Sequence, residues 1–144
     1  QKNGFIKDIT KECNGVPFIK ELNIISKNPD KYKQLKNNMA LVKKIELIEK
    51  EINKREHYYI PKNIIEKSSN CFRSGDLVGF ATNIEGLDLT HVGIIYKQGD
   101  KLTFIHASST QKKVVVEEKG LTKYCMDIKS NIGIMVARMI DNKI

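Results

Sequence analysis

The sequence has no long apolar run, and its 144 residues include only three cysteines and three histidines. No hydrophobic segment approaches the roughly 20 residues that a transmembrane helix needs, so no transmembrane segment is expected. The three cysteines lack paired motif spacing, which predicts neither a disulfide framework nor a zinc site. Because charged residues make up 29% of an otherwise ordinary composition, the chain is expected to fold as a single soluble domain over residues 1–144.

Charge of one sign is in excess, with a formal net charge of +8, but the excess is unevenly distributed. Residues 1–70 carry 15 Lys and Arg against 9 Asp and Glu, and residues 71–144 carry 10 against 8. In "LVKKIELIEKEINKRE" the lysines alternate with glutamates, which is typical of the solvated face of a helix. No basic segment is interleaved with aromatic residues to stack on bases. We therefore expect no nucleic-acid partner.

Periodicity predicts an α+β fold, with N-terminal helices followed by an antiparallel sheet of about five strands. Asn28 and Pro29 favour a helix start, and a buried helical stripe is expected from Leu41, Ile45, Ile48 and Ile52. Residues 1–70 should be mainly helical and residues 71–144 mainly sheet. The expected strands are 76–82, 91–96, 101–107, 114–118 and 133–139, with a helix near 121–128.

Two of the three histidines flank one predicted β-hairpin, "THVGIIYKQGDKLTFIHASS" at residues 90–109. If Gln98 and Gly99 form its two-residue loop, His91 lies directly opposite His106 on the same face, whereas a one-residue slip would separate them. In this register Gly93 faces Phe104 and leaves room for its ring.

Adjacent imidazoles suit a general base and the group that orients it, because imidazole accepts a proton near neutrality. Two alternatives remain. Both histidines can be partly buried sheet residues, or they can bind a metal, although no third ligand with suitable spacing is evident. His57, at the end of a charged helix, is expected to be a surface residue.

The segment "RSGDLVGFATNIEGLDLTHVGIIYKQGDKLTFIHASS" resembles the core of the NlpC-type cell-wall cysteine peptidases, a papain-like superfamily. "TNIEGLDLTHVGI" and "GIMVARMI" resemble its N-acetylmuramoyl-L-alanine amidase-like branch. The matching pieces are Gly75-Asp76, the strand from His91 to Ile94 and the strand end from His106 to Ser109. The resemblance implies a papain-like fold in which His91 is the general base and His106 is the orienting third member of a Cys-His-His arrangement.

The nucleophilic cysteine that this resemblance requires is not identified in the chain. Cys13 precedes Gly15 and Pro17, which disfavour a helix starting there. Cys71 lies in a polar connector, and Cys125 follows both histidines. Free cysteines are commonly small buried residues, and this interpretation is preferred for all three.

The chain begins with "QKNGFIKDIT", without an initiator Met or a signal peptide. The leading hypothesis is that it is the C-terminal portion of a longer hydrolase whose catalytic cysteine lies upstream. The alternatives are a complete but degenerate domain that binds cell wall without cleaving it, and a protein-interaction domain with an exposed apolar patch.

The resemblance implies hydrolysis of an amide bond in the peptide stem of peptidoglycan, through an acyl-enzyme, without a metal or organic cofactor. It also implies a periplasmic or exported location, with peptidoglycan fragments as the partner. Asp88 and Ser108, in segments beside the expected cleft, are candidate substrate-binding residues, although Asp and Ser are equally common as turn residues.

Overall fold

The computed structural model describes residues 4–140, which form three helices and eight strands joined by antiparallel pairing. The strands are β1 (Ile6–Asp8), β2 (Val16–Pro17), β3 (Tyr58–Pro61), β4 (Leu77–Thr82), β5 (Leu89–Gln98), β6 (Lys101–Ser108), β7 (Lys113–Val116) and β8 (Asn131–Met139). The helices are α1 (Ile24–Lys27), α2 (Met39–Asn53) and α3 (Leu121–Asp127). Short 3-10 turns span Pro29–Lys31 and Ser69–Cys71.

The strand order is β2-β3-β8-β4-β5-β6-β7, and β1 also pairs with β8. Strand β8 is therefore the hub of the sheet: β4 lies along one side, while β3 and β1 pair with successive parts of the other. The β4 residues after the first are all buried, as expected for a central strand.

The α+β class and the antiparallel sheet agree with the sequence prediction, and each strand predicted after residue 70 has a counterpart in the structure. The predicted strand number was wrong, because the sheet is larger than five strands. The additional strands β1, β2 and β3 lie in the half that was expected to be mainly helical. They have only two to four residues each, too few for a period-two pattern to be recognised in the sequence.

A short 3-10 helix begins at the predicted Pro29 but ends at Lys31, and α2 begins only at Met39. Of the predicted stripe, Leu41, Ile45 and Ile52 are half-buried. Asn38 caps α2, with its side chain accepting a hydrogen bond from the Leu41 amide. Val42 and Glu49 are the buried residues of the helix, whereas Ile48 is 53% exposed. The prediction that Ile48 belongs to a buried stripe was wrong.

The core lies on one face of the sheet, where α3 and the connector before β4 cover it. Phe80, Ile95 and Phe104 of three adjacent strands contribute fully buried side chains, and Leu121 and Cys125 of α3 pack over them. The opposite face is apolar but less covered. Around Val92 and Ile94, which are 60% and 44% exposed, it forms a groove of about 590 Å³.

The hairpin between β5 and β6 has a different register from the predicted one. Gln98 pairs with Lys101, so Gly99 and Asp100 form the two-residue loop, with Gly99 at a φ of +60°. This shift moves each cross-strand partner by two residues. Because the side-chain period of a strand is also two, His91 and His106 stay on the same face. They are diagonal neighbours rather than the directly opposed pair that the sequence predicted.

A β-bulge accompanies His91. The pairing of β4 with β5 changes from Gly79 opposite Val92 to Ala81 opposite Leu89, which leaves one extra residue in β5 at Thr90 or His91. Bulges redirect the side chains beside them. The alternating pattern of the sequence does not reveal this irregularity beside His91.

Cys13 and Cys71 form a disulfide bond, with Cα atoms 5.7 Å apart and 58 residues of separation. This corrects the expectation that all three cysteines are free. The pairing escaped prediction because it depends on tertiary proximity, which cysteine spacing does not encode. It attaches the turn after β1 to the connector before β4.

We expect reduction of the Cys13–Cys71 bond to destabilise the fold. The chain-entropy relation gives about 4 kcal/mol for a loop of this length, with measured values typically about 2–4 kcal/mol. Urea unfolding with and without reductant measures the difference. A Cys13→Ala/Cys71→Ala double variant should have the stability of the reduced protein and no response to reductant, and an equal response in both proteins would contradict the assignment.

Gly93 should tolerate no larger side chain, because a Cβ atom there would lie 2.7 Å from Phe104 Cδ2 and 2.8 Å from the Ile105 carbonyl oxygen. We expect Gly93→Ala to cost about 1–3 kcal/mol of unfolding free energy, as overpacked cores do. Thermal denaturation beside the exposed neighbour variant Val92→Ala tests this. Native stability of the Gly93 variant would refute the close approach of β5 and β6 at this position.

Candidate functional site

His91 and His106 are hydrogen-bonded to each other across the hairpin. The distance from His91 Nε2 to His106 Nδ1 is 2.8 Å, and the two rings are nearly perpendicular at 89°. His106 is buried at 6% exposure, while His91 is partly exposed. The geometry therefore supplies a buried imidazole behind one that solvent can reach.

Aromatic side chains hold the pair in place. Tyr124 of α3 has its ring centroid 6.1 Å from that of His91 and 5.6 Å from that of His106. Phe104 lies 4.7 Å from His106, and Phe80 lies 6.3 Å from His91. These contacts restrict both imidazoles to few orientations.

The environment of His91 favours its neutral form. Burial lowers the pKa of His91 below its usual value, and the nearby His106 lowers it further by charge repulsion. His91 Nε2 is hydrogen-bonded to His106 Nδ1. Within residues 4–140, His91 Nδ1 has no hydrogen-bond partner. If the shared hydrogen lies on His91 Nε2, a neutral His91 has an unprotonated Nδ1 that can accept a proton from another group.

Glu117 lies on the far side of His106. The distance from its Oε2 to His106 Nε2 is 3.5 Å, with both side chains largely buried. This separation satisfies an ion-pair criterion but exceeds an ordinary hydrogen bond, and the buried Nε2 has no hydrogen-bonded partner among the described residues. We regard the contact as electrostatic.

A cleft of about 480 Å³ opens over the histidines. It is lined by both imidazoles, by Tyr124 and Ile128 from the α3 side, and by polar residues of the β6–β7 turn and the segment after β7. Ser108 lines this cleft, and its hydroxyl also accepts a hydrogen bond from the Gln111 amide within the turn. Asp88 lies outside the lining and accepts a hydrogen bond from the Leu89 amide.

No cysteine is among the residues that line the cleft. Cys125 is the free cysteine, and it is fully buried. Burial raises the pKa of its thiol to about 11, which makes it a poor nucleophile at neutral pH. His57, the third histidine, is partly buried, with its Nε2 2.9 Å from the Ile52 carbonyl oxygen rather than in the cleft.

Sequence reasoning missed Glu117 and Tyr124 as neighbours of the pair. Glu117 follows β7 directly, and its amide donates to the Phe104 carbonyl oxygen, which places it two residues along from the position opposite His106. Pairing the residues of β6 with those of β7 along the sequence could have placed Glu117 near His106. Tyr124 reaches the site from a helix, and no pattern in the strands could have predicted that contact.

Two further findings concern residues 4–140. None of the helices there combines the length and apolar character needed to cross a bilayer. The same residues contain no cluster of three or more His, Cys, Asp or Glu side chains arranged to hold a metal ion.

Solved structures resemble this fold closely. An N-acetylmuramoyl-L-alanine amidase from Bacteroides uniformis has a TM-score of 0.89 and 35% identity, covering 96% of this chain and 59% of its own. A Bacteroides fragilis protein proposed to be a xylanase has a TM-score of 0.88 and 33% identity, covering 96% and 60% respectively. A Legionella pneumophila protein of the DUF1460 family, with a TM-score of 0.61 and 19% identity, shares the fold.

The chain thus spans about three fifths of the length of these solved structures. No curated protein sequence matches it. The sequence does match a family: residues 1–134 fit the sequence pattern described as N-acetylmuramoyl-L-alanine amidase-like. The chain belongs to the N-acetylmuramoyl-L-alanine amidase-like family.

Proposed function

We propose that this chain supplies the histidine machinery of a peptidoglycan amide hydrolase of the Cys-His-His type, built on a papain-like fold. The observation that carries the proposal is the 2.8 Å hydrogen bond between His91 and His106 at the base of an open cleft. Family membership supports peptidoglycan as the substrate.

The roles of the two imidazoles follow from their positions. His91 accepts the thiol proton at Nδ1, and the thiolate attacks the amide carbonyl. His91 then protonates the leaving amine and later activates a water molecule for deacylation. His106 fixes the ring direction of His91 from behind. No metal or organic cofactor enters these steps.

The nucleophile must come from outside the residues described. The disulfide of Cys13 and Cys71 and the burial of Cys125 leave no reactive thiol at the cleft. Since about two fifths of each solved relative lies outside the match, we propose that a cysteine elsewhere in a longer protein completes the site.

The groups at the centre of the cleft favour an amide over a glycosidic bond. Glycosidases generally act with two carboxylates that flank the scissile bond, whereas here two imidazoles are hydrogen-bonded and Glu117 lies behind one of them. We propose Ser108 as a substrate contact because it lines the cleft. Asp88 stays a weaker candidate, since it lies outside that lining.

A periplasmic or exported location fits this function. The family acts on cell wall, and the Cys13–Cys71 disulfide is the kind of bond that persists in oxidising compartments.

A second candidate is a wall-binding module without catalysis. One observation favours it: among the described residues, the cleft contains a base and its orienter but no nucleophile. Such a module would bind stem peptides and keep its affinity after loss of either histidine.

Hydrolysis of peptidoglycan fragments, followed by mass spectrometry, separates the two candidates. We expect cleavage by a protein extended to the length of the solved relatives, and a loss of about 100-fold or more in His91→Ala, as removal of a general base predicts. His57→Ala is the matched control, because His57 is bonded to a backbone carbonyl outside the cleft.

Cleavage by the extended protein should also stop when the cysteine proposed to lie in its additional segment is alkylated. Intact fragments recovered from both the extended protein and this chain, with unchanged affinity in His91→Ala, would replace the hydrolase with the binding module.

His91 should titrate below the ordinary histidine pKa of about 6.5, because burial and His106 both oppose its protonation. A lowered folded-state pKa means that the unfolded chain binds the proton more readily, so this residue's stabilising contribution is full above pH 6.5 and is lost as pH falls through the folded pKa. NMR titration of this chain measures it directly. A value at or above 6.5 for His91 would contradict the described environment.

A further inference from the structure

We propose that Glu117 is a positioning residue that sets the proton direction of the histidine pair and leaves His91 Nδ1 as the free base. The inference rests on the proposed function for its catalytic meaning, but its structural content concerns this chain alone. It extends the machinery to three side chains on neighbouring segments, in the order Glu117, His106, His91.

The backbone holds Glu117 firmly beside His106. Its amide donates to the Phe104 carbonyl oxygen at 2.9 Å, and the Thr103 hydroxyl donates to the Glu117 carbonyl oxygen. Its carboxylate Oε1 accepts the Lys119 amide at 3.0 Å. Oε2 is thereby left facing His106 Nε2.

A carboxylate accepts hydrogen bonds and donates none, so a negative Glu117 favours the hydrogen of His106 on Nε2. A neutral His106 then has an unprotonated Nδ1, which can only accept. His91 Nε2, 2.8 Å away, must therefore be the donor, and the lone pair of His91 is left on Nδ1. One charge thus determines the tautomers of two rings.

Three observations support the inference that the charge of Glu117 acts on this site. His106 Nε2 is buried without a hydrogen-bond partner among the described residues, so a proton there has Glu117 as its nearby negative group at 3.5 Å. The ammonium of Lys119, the closest cation in sequence, is paired with Asp127 at 3.0 Å, and Glu117 contributes only the weakest of the effects on the pKa of Lys119. The negative charge of Glu117 also raises the pKa of Tyr124, although burial raises it more.

The test is nitrogen-15 NMR of the imidazoles in this chain, recorded near pH 8, where histidines with ordinary pKa values are neutral. Long-range correlations distinguish an imidazole protonated at Nε2 from one protonated at Nδ1. In the unmodified protein we expect both His91 and His106 to be protonated at Nε2. His106 protonated at Nδ1 overturns the proposal, and this measurement needs no variant to fold.

Variants then assign the effect to Glu117. Glu117→Gln keeps the shape but can donate as well as accept, so we expect a measurable population of His106 protonated at Nδ1. Glu118→Gln, which removes the same charge from the exposed neighbour, should leave both tautomers unchanged, and Glu117→Asp should retain most of the Nε2 form. Identical tautomers in Glu117→Gln and the unmodified protein overturn the proposal.

Kinetics of an extended, thiol-containing protein provide a separate arm. There we expect Glu117→Gln to lower kcat by about 10-fold or more with little change in KM. The wrong tautomer removes the unprotonated nitrogen that acts as the base, but it leaves the substrate contacts intact. If no hydrolysis is found but the tautomers are as expected, the proposed function fails and the positioning role of Glu117 stands. If hydrolysis is found but the tautomers do not change in Glu117→Gln, the positioning role of Glu117 fails and the proposed function stands.

Discussion

The ion pair of Asp76 and Arg138 is a constraint on which the arrangement of the sheet depends. Asp76 is buried at 2% exposure, and Arg138 donates to both of its carboxylate oxygens at 2.7 Å. The same guanidinium reaches the Cys71 carbonyl oxygen, and Asp76 also accepts the Arg73 amide. Asp76 is the buried partner, whereas the Arg138 side chain is 27% exposed. Removing Arg138 would leave a buried carboxylate without its cation, which costs about 3–5 kcal/mol in fully buried pairs and less where one partner reaches solvent. The pair joins the start of β4, the end of β8 and the disulfide-bonded connector.

The Asp76–Arg138 ion pair also affects the position of the histidines, through strand β4. Asp76 accepts the Ile95 amide through its backbone carbonyl, so the start of β4 also aligns β5, which contains His91. The Gly75-Asp76 step that contributes to the family resemblance thus has a structural explanation that requires no role in chemistry. Gly75 adopts a φ of +96°, a conformation that glycine accommodates without a Cβ clash.

Local patterns predicted what depends on local sequence. The β-branched runs gave every strand after residue 70, and the two-residue periodicity put His91 and His106 on one face even though the assumed loop was wrong by one position. Long-range features were not accessible in the same way. The Cys13–Cys71 bond, the short strands β1 to β3 and the approach of Tyr124 all depend on where distant segments meet, and no window of the sequence contains both partners.

The position of Glu117 beyond an edge strand has a dynamic consequence. Strand β7 pairs with β6 on one side only, and its four residues are mostly exposed. Short, singly paired segments open locally at far lower free energy than the whole fold. Opening of β7 would withdraw the carboxylate while the hydrogen bond of His91 to His106 persists, so amide hydrogen exchange at Glu117 would report how often the histidine pair is separated from its charge.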